Sequence, residues 1–308
     1  VPEVMESIFF RGGKIRPIVA VVKSIASAIT IGTGGSVGRE GPIIQIGAAF
    51  GSMLSHIIAM PARQRIVLLA AGAGAGIAAT FNAPIGGMAF AVELLLVSIS
   101  SNTLSVVAIA TVTATFISRY YLGVDPAFTI PNLLSIHHSS HIINLVSFIP
   151  LGILLGITAT AFIKSLYWTE DYFDKRFTNP YYRSLIATGI LGILIYTFMH
   201  FTGHYYIQGI GYATISDILN GHLPSLLFLT LLCLSKLIAT NITLAGGGSG
   251  GVFSPSLYLG ATISVVFGSL INLTLPPEYS LNPGIYAVAG MAAMVASTTG
   301  AVLTAITM

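Results

Sequence analysis

Apolar residues dominate this chain in long runs that few charges interrupt. Long runs without Asp, Glu, Lys or Arg include residues 41–62, 66–92, 94–118, 184–216 and 237–277. A helix that crosses a bilayer needs about 20 predominantly apolar residues. The runs are too long, and too poor in apolar–polar alternation, for the strands of an outer-membrane barrel. The pattern therefore predicts an all-α, polytopic membrane protein embedded in a lipid bilayer.

The apolar runs divide into helices at turn residues and charges. Predicted apolar helices cover residues 17–32, 42–59, 65–80, 84–101, 103–122, 142–169, 181–202, 224–243, 252–273 and 284–308, with a short amphipathic helix at 212–220. The most polar segments are 123–141 and 169–183, and the second is interpreted as a water-facing loop or helix end.

Composition removes several classes of function. Only 7% of residues are charged and the net charge is +3, which gives no reason to expect a nucleic-acid partner. A single cysteine, Cys233, excludes an intrachain disulfide and a thiolate metal cage.

Lys164 and Lys236 are predicted to lie at helix ends and to extend to the membrane interface. Three histidines that could suit a metal stand in a polar linker without a nearby carboxylate, so no metal site is predicted; they are His137, His138 and His141.

Two glycine-rich interruptions resemble each other. They are "GTGGSVGREGP" (32–42) and "AGGGSGGVFSP" (245–255). Each follows an apolar helix, ends in proline and opens another apolar helix, and proline is favoured in the first helical turn. Matched interruptions in two halves of a membrane protein are typical of a transporter's binding site.

Each interruption is expected to expose the start of a helix. The first amides of a helix lack partners and carry partial positive charge, so two such starts aimed at one point can hold a small anion. Glu40 stands at the first of these starts. Its carboxylate, when ionised, could occupy the anion site, and protonation would release it. The alternative is a structural carboxylate that caps the helix or pairs with Arg39.

The motifs resemble one known family. "GREGP" with "IIQIGAAFG" (38–51), "FNAPIGGMAFAVE" (81–93) and "GGGSGGVFSPSLYLGA" (246–261) are similar to the CLC chloride channels and proton-coupled chloride antiporters. The resemblance runs along essentially the whole chain. It implies that Glu40 is the gating and proton-carrying glutamate. It also implies an anion site formed by backbone amides near Arg39, Glu40, Gly41, Val252, Phe253 and Ser254.

The same resemblance implies the rest of the architecture and its partners. Residues 1–308 would form one transmembrane anion-transport domain, truncated at both ends, with broken and tilted helices. Residues 1–122 and 141–308 would be incomplete first and second inverted repeats. The expected protein is a homodimer of the bacterial inner membrane that moves chloride and protons, needs no cofactor and is not an enzyme.

Three points stay open. Leu94 stands where proton-coupled members often carry a second glutamate, so a passive chloride channel is the alternative to an antiporter. Glu93 is interpreted as structural rather than as a proton relay. The family's selectivity serine would precede residue 1 and its pore tyrosine would follow residue 308, so nitrate or fluoride is not excluded.

A remote alternative is an intramembrane protease, with Ser249 as nucleophile and His200 or His204 as base.

Overall fold

The computed structural model of the protein describes residues 2–124, 142–223, 225–274, 276 and 280–308. Within these ranges the chain is helical, and its only β-type pairing is an isolated bridge. The helices are α1 (Pro2–Phe10), α2 (Ile18–Gly32), α3 (Glu40–Ile57), α4 (Ala62–Phe81), α5 (Pro84–Phe90) with a π-helical turn (Ala91–Leu95), α6 (Ser101–Leu122), α7 (Ile142–Arg176), α8 (Pro180–Thr202), α9 (Tyr212–Leu219), α10 (Leu226–Ala245), α11 (Phe253–Thr274), α12 (Pro283–Thr299) and α13 (Val302–Thr307).

Six of these helices are long and apolar enough to cross a bilayer: α4, α6, α7, α8, α10 and α11. The prediction of an all-α, multi-pass integral membrane protein is confirmed. At 1.5 Å per residue, the 35 residues of α7 span about 50 Å, more than the roughly 30 Å hydrocarbon core. This helix must therefore tilt or extend beyond the core.

The structure differs from the predicted helices in several places, and α7 ends at Arg176, seven residues beyond the predicted end at 169. The predicted helix 284–308 divides at Gly300, which ends α12 in the left-handed region with φ of +76°. The predicted helix 84–101 stops at Leu95 in the π-helical turn. Helix α1 was not predicted, because its nine residues are too few to form a membrane-length apolar run.

The helices differ in how much of their surface packs inside the protein. In the most apolar windows of α10 and α11, 50% of the residues are buried, against 17% in α6 and α8. Small residues allow the closest packing: a methyl group on Gly47 of α3 would overlap the Gly72 carbonyl of α4. One on Gly260 of α11 would likewise overlap the Gly290 carbonyl of α12. The interior of the bundle is therefore built around α3, α4, α11 and α12.

Candidate functional site

The two glycine-rich interruptions meet in the folded protein. Gly38 and Gly251 form an isolated antiparallel bridge, in which each amide donates to the other's carbonyl at 2.8 Å. A methyl group on Gly251 would lie 2.8 Å from the Gly41 nitrogen, so the two backbones approach as closely as only glycine permits. The bridge places the starts of α3 and α11 side by side.

Reciprocal hydrogen bonds surround the bridge. The Ser36 amide donates to Thr243 Oγ1 at 3.2 Å, and the Ser249 amide donates to Thr30 Oγ1 at 3.1 Å. Thr30 lies near the end of α2, the helix before the first interruption, and Thr243 lies at the corresponding place in α10. The contact that one interruption makes with the helix before the other thus has its counterpart.

The helix starts leave backbone amides available. In the part of the chain that the structure describes, no protein acceptor takes a hydrogen bond from the amides of the six predicted anion-site residues, Arg39, Glu40, Gly41, Val252, Phe253 and Ser254. Both helices are long, 18 and 22 residues, so their dipoles add partial positive charge at these ends. The arrangement is chemically suited to an anion.

The carboxylate of Glu40 lies between the two helix starts. Glu40 is the first residue of α3 and is completely buried. Its Oε1 accepts hydrogen bonds from the Tyr212 hydroxyl at 2.5 Å and from the Ser254 hydroxyl at 2.6 Å. Its Oε2 lies against Gly38 and has no hydrogen-bond partner among the described residues. An anionic group thus occupies the place where the sequence predicted an anion.

Arg39 does not neutralise Glu40. No ion pair joins these two side chains in the described structure. Arg39 is instead exposed, and its guanidinium carbon lies 5.6 Å from the centre of the Tyr212 ring, within cation–π distance. The alternative in which Glu40 pairs with Arg39 therefore does not describe this structure.

Two side chains at the site were missed or misjudged from the sequence. Tyr212 received no role, since its only local signal is the glycine before it, and its bond to Glu40 spans 172 positions. The prediction that Lys236 extends to the membrane interface is wrong. Lys236 is fully buried in α10 and donates to the carbonyls of Ile207 at 3.1 Å and Gly209 at 2.7 Å. Lys164, by contrast, is exposed, although α7 continues well past it.

Glu93 is half-buried, and its hydrogen-bond partners lie at the start of α13. It lies in the π-helical turn after α5. Its carboxylate accepts hydrogen bonds from the backbone amides of Leu303 at 3.0 Å and Thr304 at 3.1 Å. The Thr304 hydroxyl adds a third bond at 3.1 Å. The side chain therefore caps the start of α13.

The remaining candidates do not assemble into a second site. The Ser249 hydroxyl has no hydrogen-bond partner among the described residues, so neither His200 nor His204 is placed to activate it. His200 stacks on Tyr196 with ring centres 5.9 Å apart. The histidines at 137, 138 and 141 lie outside the described residues, and within those residues no cluster of metal-binding side chains occurs.

Known proteins resemble the chain along nearly its whole length. The "H(+)/Cl(-) exchange transporter ClcA" of Vibrio parahaemolyticus is 33% identical over 299 residues, which cover 95% of this chain and 62% of that protein. The "Chloride channel protein CLC-f" of Arabidopsis thaliana is 31% identical over 94% of this chain and 38% of its own length. The chain thus spans less than two thirds of the curated relatives it matches.

Solved structures give the same result for the fold. A slow cyanobacterial Cl−/H+ antiporter superposes with a TM-score of 0.83 at 28% identity, over 95% of this chain and 67% of that one. A CLC-type fluoride/proton antiporter has a TM-score of 0.75 at 23% identity, over 99% and 76%, and supports the fold alone. The model of the family described as voltage gated chloride channel matches residues 1–308. The chain therefore belongs to the CLC family of voltage-gated chloride channels and transporters.

Proposed function

We propose that this protein exchanges chloride for protons across the inner membrane of a bacterium, with Glu40 as both gate and proton carrier. One observation carries the proposal: a completely buried carboxylate lies between two helix starts whose first amides have no protein acceptor in the described structure. Ionisable side chains at membrane depth are costly to retain and mark transport pathways. Relatives named as H(+)/Cl(−) exchangers support the choice of ions.

The mechanism follows from competition for one site. Ionised Glu40 accepts the hydrogen bonds of Tyr212 and Ser254 and lies where a permeating anion would bind. Protonation removes the negative charge that these donors and helix starts stabilise. The neutral side chain then leaves, carrying its proton, and chloride takes its place at the amides of Arg39, Glu40 and Gly41 and of Val252, Phe253 and Ser254. No lysine or arginine need touch the anion, which keeps binding weak enough for release.

The assembly belongs to the same proposal. We assign residues 1–122 and 141–308 to two inverted repeats of one transport domain, supported by the reciprocal bonds of Thr30 and Thr243. A homodimer with one pathway in each subunit is expected from the family. Transport by this scheme uses no cofactor and no enzymatic step, because the gating group is a side chain of the protein itself.

A passive chloride channel is the second candidate, and one observation favours it. Leu94 cannot carry a proton, and the neighbouring Glu93 is engaged in capping α13 through three hydrogen bonds. A protonatable Glu40 could then gate chloride flow without coupling it to protons. Measured proton movement distinguishes the two candidates.

The test uses purified protein reconstituted into liposomes loaded with chloride. Chloride efflux and proton uptake are recorded together for wild type, Glu40→Gln and a control, Glu6→Gln. Glu6 is a suitable control because its carboxylate is exposed and pairs with Arg11 at the surface. The proposal expects wild type and Glu6→Gln to drive protons against their gradient, whereas Glu40→Gln moves chloride without protons.

The other results lead to different conclusions. Chloride efflux from wild type without proton movement would establish the channel. Unchanged coupling in Glu40→Gln would exclude Glu40 as the proton carrier. If nitrate or fluoride flows while chloride does not, the proposed anion pathway is retained and the assignment of chloride as its ion is wrong.

A further inference from the structure

Tyr212, the first residue of α9, donates a hydrogen bond to Glu40. No other residue of α9 takes part in the proposed gate. The hydroxyl of Tyr212 donates to Glu40 Oε1 at 2.5 Å, while its ring lies under the exposed guanidinium of Arg39 at 5.6 Å. The tyrosine therefore contacts both charged residues at the start of α3. A hydrogen bond from a phenol stabilises a carboxylate in its ionised form and fixes its position.

The position of Tyr212 depends on the segment before it. Tyr212 is the first residue of α9, and Gly211 before it has φ of +85°, a conformation that favours glycine. A methyl group on Gly211 would lie 2.8 Å from Cδ2 of Tyr258 and 3.3 Å from Nζ of Lys236. The backbone that presents Tyr212 is thus packed directly against a tyrosine ring and a buried ammonium group.

Lys236 fixes the backbone of residues 207–211, the segment before Tyr212, through hydrogen bonds. Its ammonium donates to the carbonyls of Ile207 and Gly209 and lies 5.4 Å from the centre of the Tyr258 ring. The Thr214 hydroxyl donates to the carbonyl of Tyr206, the residue just before this segment, at 3.0 Å. A fully buried charge is unfavourable unless it is compensated, and these carbonyls and the ring provide that compensation.

We propose that Lys236, the segment 207–211 and Tyr212 form a latch that holds ionised Glu40 in the anion site and sets the pH at which the gate opens. The latch rests on the proposed function of Glu40. Tyr212 and Lys236 are positioning residues that act through Glu40, and no role at the anion itself is assigned to them.

The sign of the effect follows from the hydrogen bond. Tyr212 donates to the ionised carboxylate, so its loss disfavours the ionised, engaged form relative to the protonated, released form. In the proposed mechanism, protonation of Glu40 activates chloride flux. In the variant without the Tyr212 hydroxyl, the flux therefore reaches half its maximum at a higher pH than in wild type. Removing a hydrogen bond to a charged group corresponds to an upward shift of about one pH unit.

The experiment measures chloride flux against pH in liposomes for wild type, Tyr212→Phe, Lys236→Met and a control, Tyr286→Phe. Tyr212→Phe keeps the ring beneath Arg39 and removes the hydroxyl that donates to Glu40. Tyr286 is a matched control because it is also buried and its hydroxyl bonds to Ser147 at 2.9 Å, away from Glu40. We expect Tyr212→Phe and Lys236→Met to shift the profile upward by about one pH unit, and Tyr286→Phe to retain the wild-type profile.

Combination with Glu40→Gln separates the latch from the gate. If Glu40→Gln abolishes the pH dependence and Tyr212→Phe adds nothing to it, Tyr212 acts through Glu40 as proposed. If Glu40→Gln abolishes the pH dependence but Tyr212→Phe alone keeps the wild-type profile, the latch is overturned while the gate stands. If Glu40→Gln retains a normal profile, the proposed function fails and the latch with it.

The lysine is tested separately. A folded Lys236→Met protein with a wild-type profile would remove Lys236 from the latch. Should Lys236→Met fail to fold, Tyr212→Phe still decides whether Glu40 is held as proposed.

Discussion

Glu93→Gln tests whether the second membrane carboxylate is structural. In the native protein Oε1 accepts the Leu303 amide, and Oε2 accepts the amide and hydroxyl of Thr304. A glutamine retains one acceptor oxygen, while its NH2 group faces a donor and cannot accept. The substitution also removes a negative charge from the start of α13. Loss of such a cap costs about 1–2 kcal/mol of stability.

That cost is measurable as a change in thermal stability. For a chain of 308 residues it lowers the melting temperature by roughly 1.5–3 °C. The protein is heated in detergent, and the fraction that remains monodisperse is measured by size-exclusion chromatography. Proton-to-chloride coupling is measured in liposomes on the same preparations. Glu6→Gln, which loses only an exposed ion pair with Arg11, is expected to melt within about 1 °C of wild type.

A structural role for Glu93 predicts lower thermal stability with the coupling ratio unchanged. The opposite pattern, altered coupling at wild-type stability, would refute it and make Glu93 a proton relay. That outcome would also weaken the case for a channel, because it would supply the second protonatable group that Leu94 cannot.

Two further predictions concern the contact between the interruptions. Gly251→Ala places a methyl group 2.8 Å from the Gly41 nitrogen, so chloride flux should fall at least about tenfold, whereas Gly152→Ala, with nothing within 4 Å, should keep wild-type flux. Equal flux from both alanine variants would show that the bridge is not needed for transport. Thr243→Val leaves the buried Ser36 amide without its acceptor and should cost about 1–3 kcal/mol, measured as a lower melting temperature. An unchanged melting temperature would contradict that assignment.

Much of the fold could be predicted from the sequence because its signals are local. The length of the apolar runs predicted the membrane helices, since a helix satisfies its backbone hydrogen bonds within itself. Glycines followed by Pro42 and Pro255 indicated where α3 and α11 begin, to within two residues. The candidate gate, Glu40, was recognisable because a carboxylate in so apolar a region is unusual.

The sequence was less informative where chemistry depends on contacts between distant segments. Lys236 on an apolar helix is expected to extend toward water, and only the fold shows two carbonyls beside it. The backbone amides that donate hydrogen bonds to Glu93 lie 210 and 211 positions further along the chain. No local pattern indicates such partners, because they are brought together by helix packing rather than by spacing along the chain.

By itself, the sequence determined that this is an all-α membrane protein with two matched helix starts and a carboxylate at one of them. These features follow from apolar run length and from proline and glycine positions, which act within a few residues. Only the tertiary structure decided that Gly38 pairs with Gly251 and that Tyr212 and Ser254 hold Glu40, across 172 and 214 positions. The reason is physical: helices form through local hydrogen bonds, whereas a site between helices exists only once their small residues have allowed the backbones to pack.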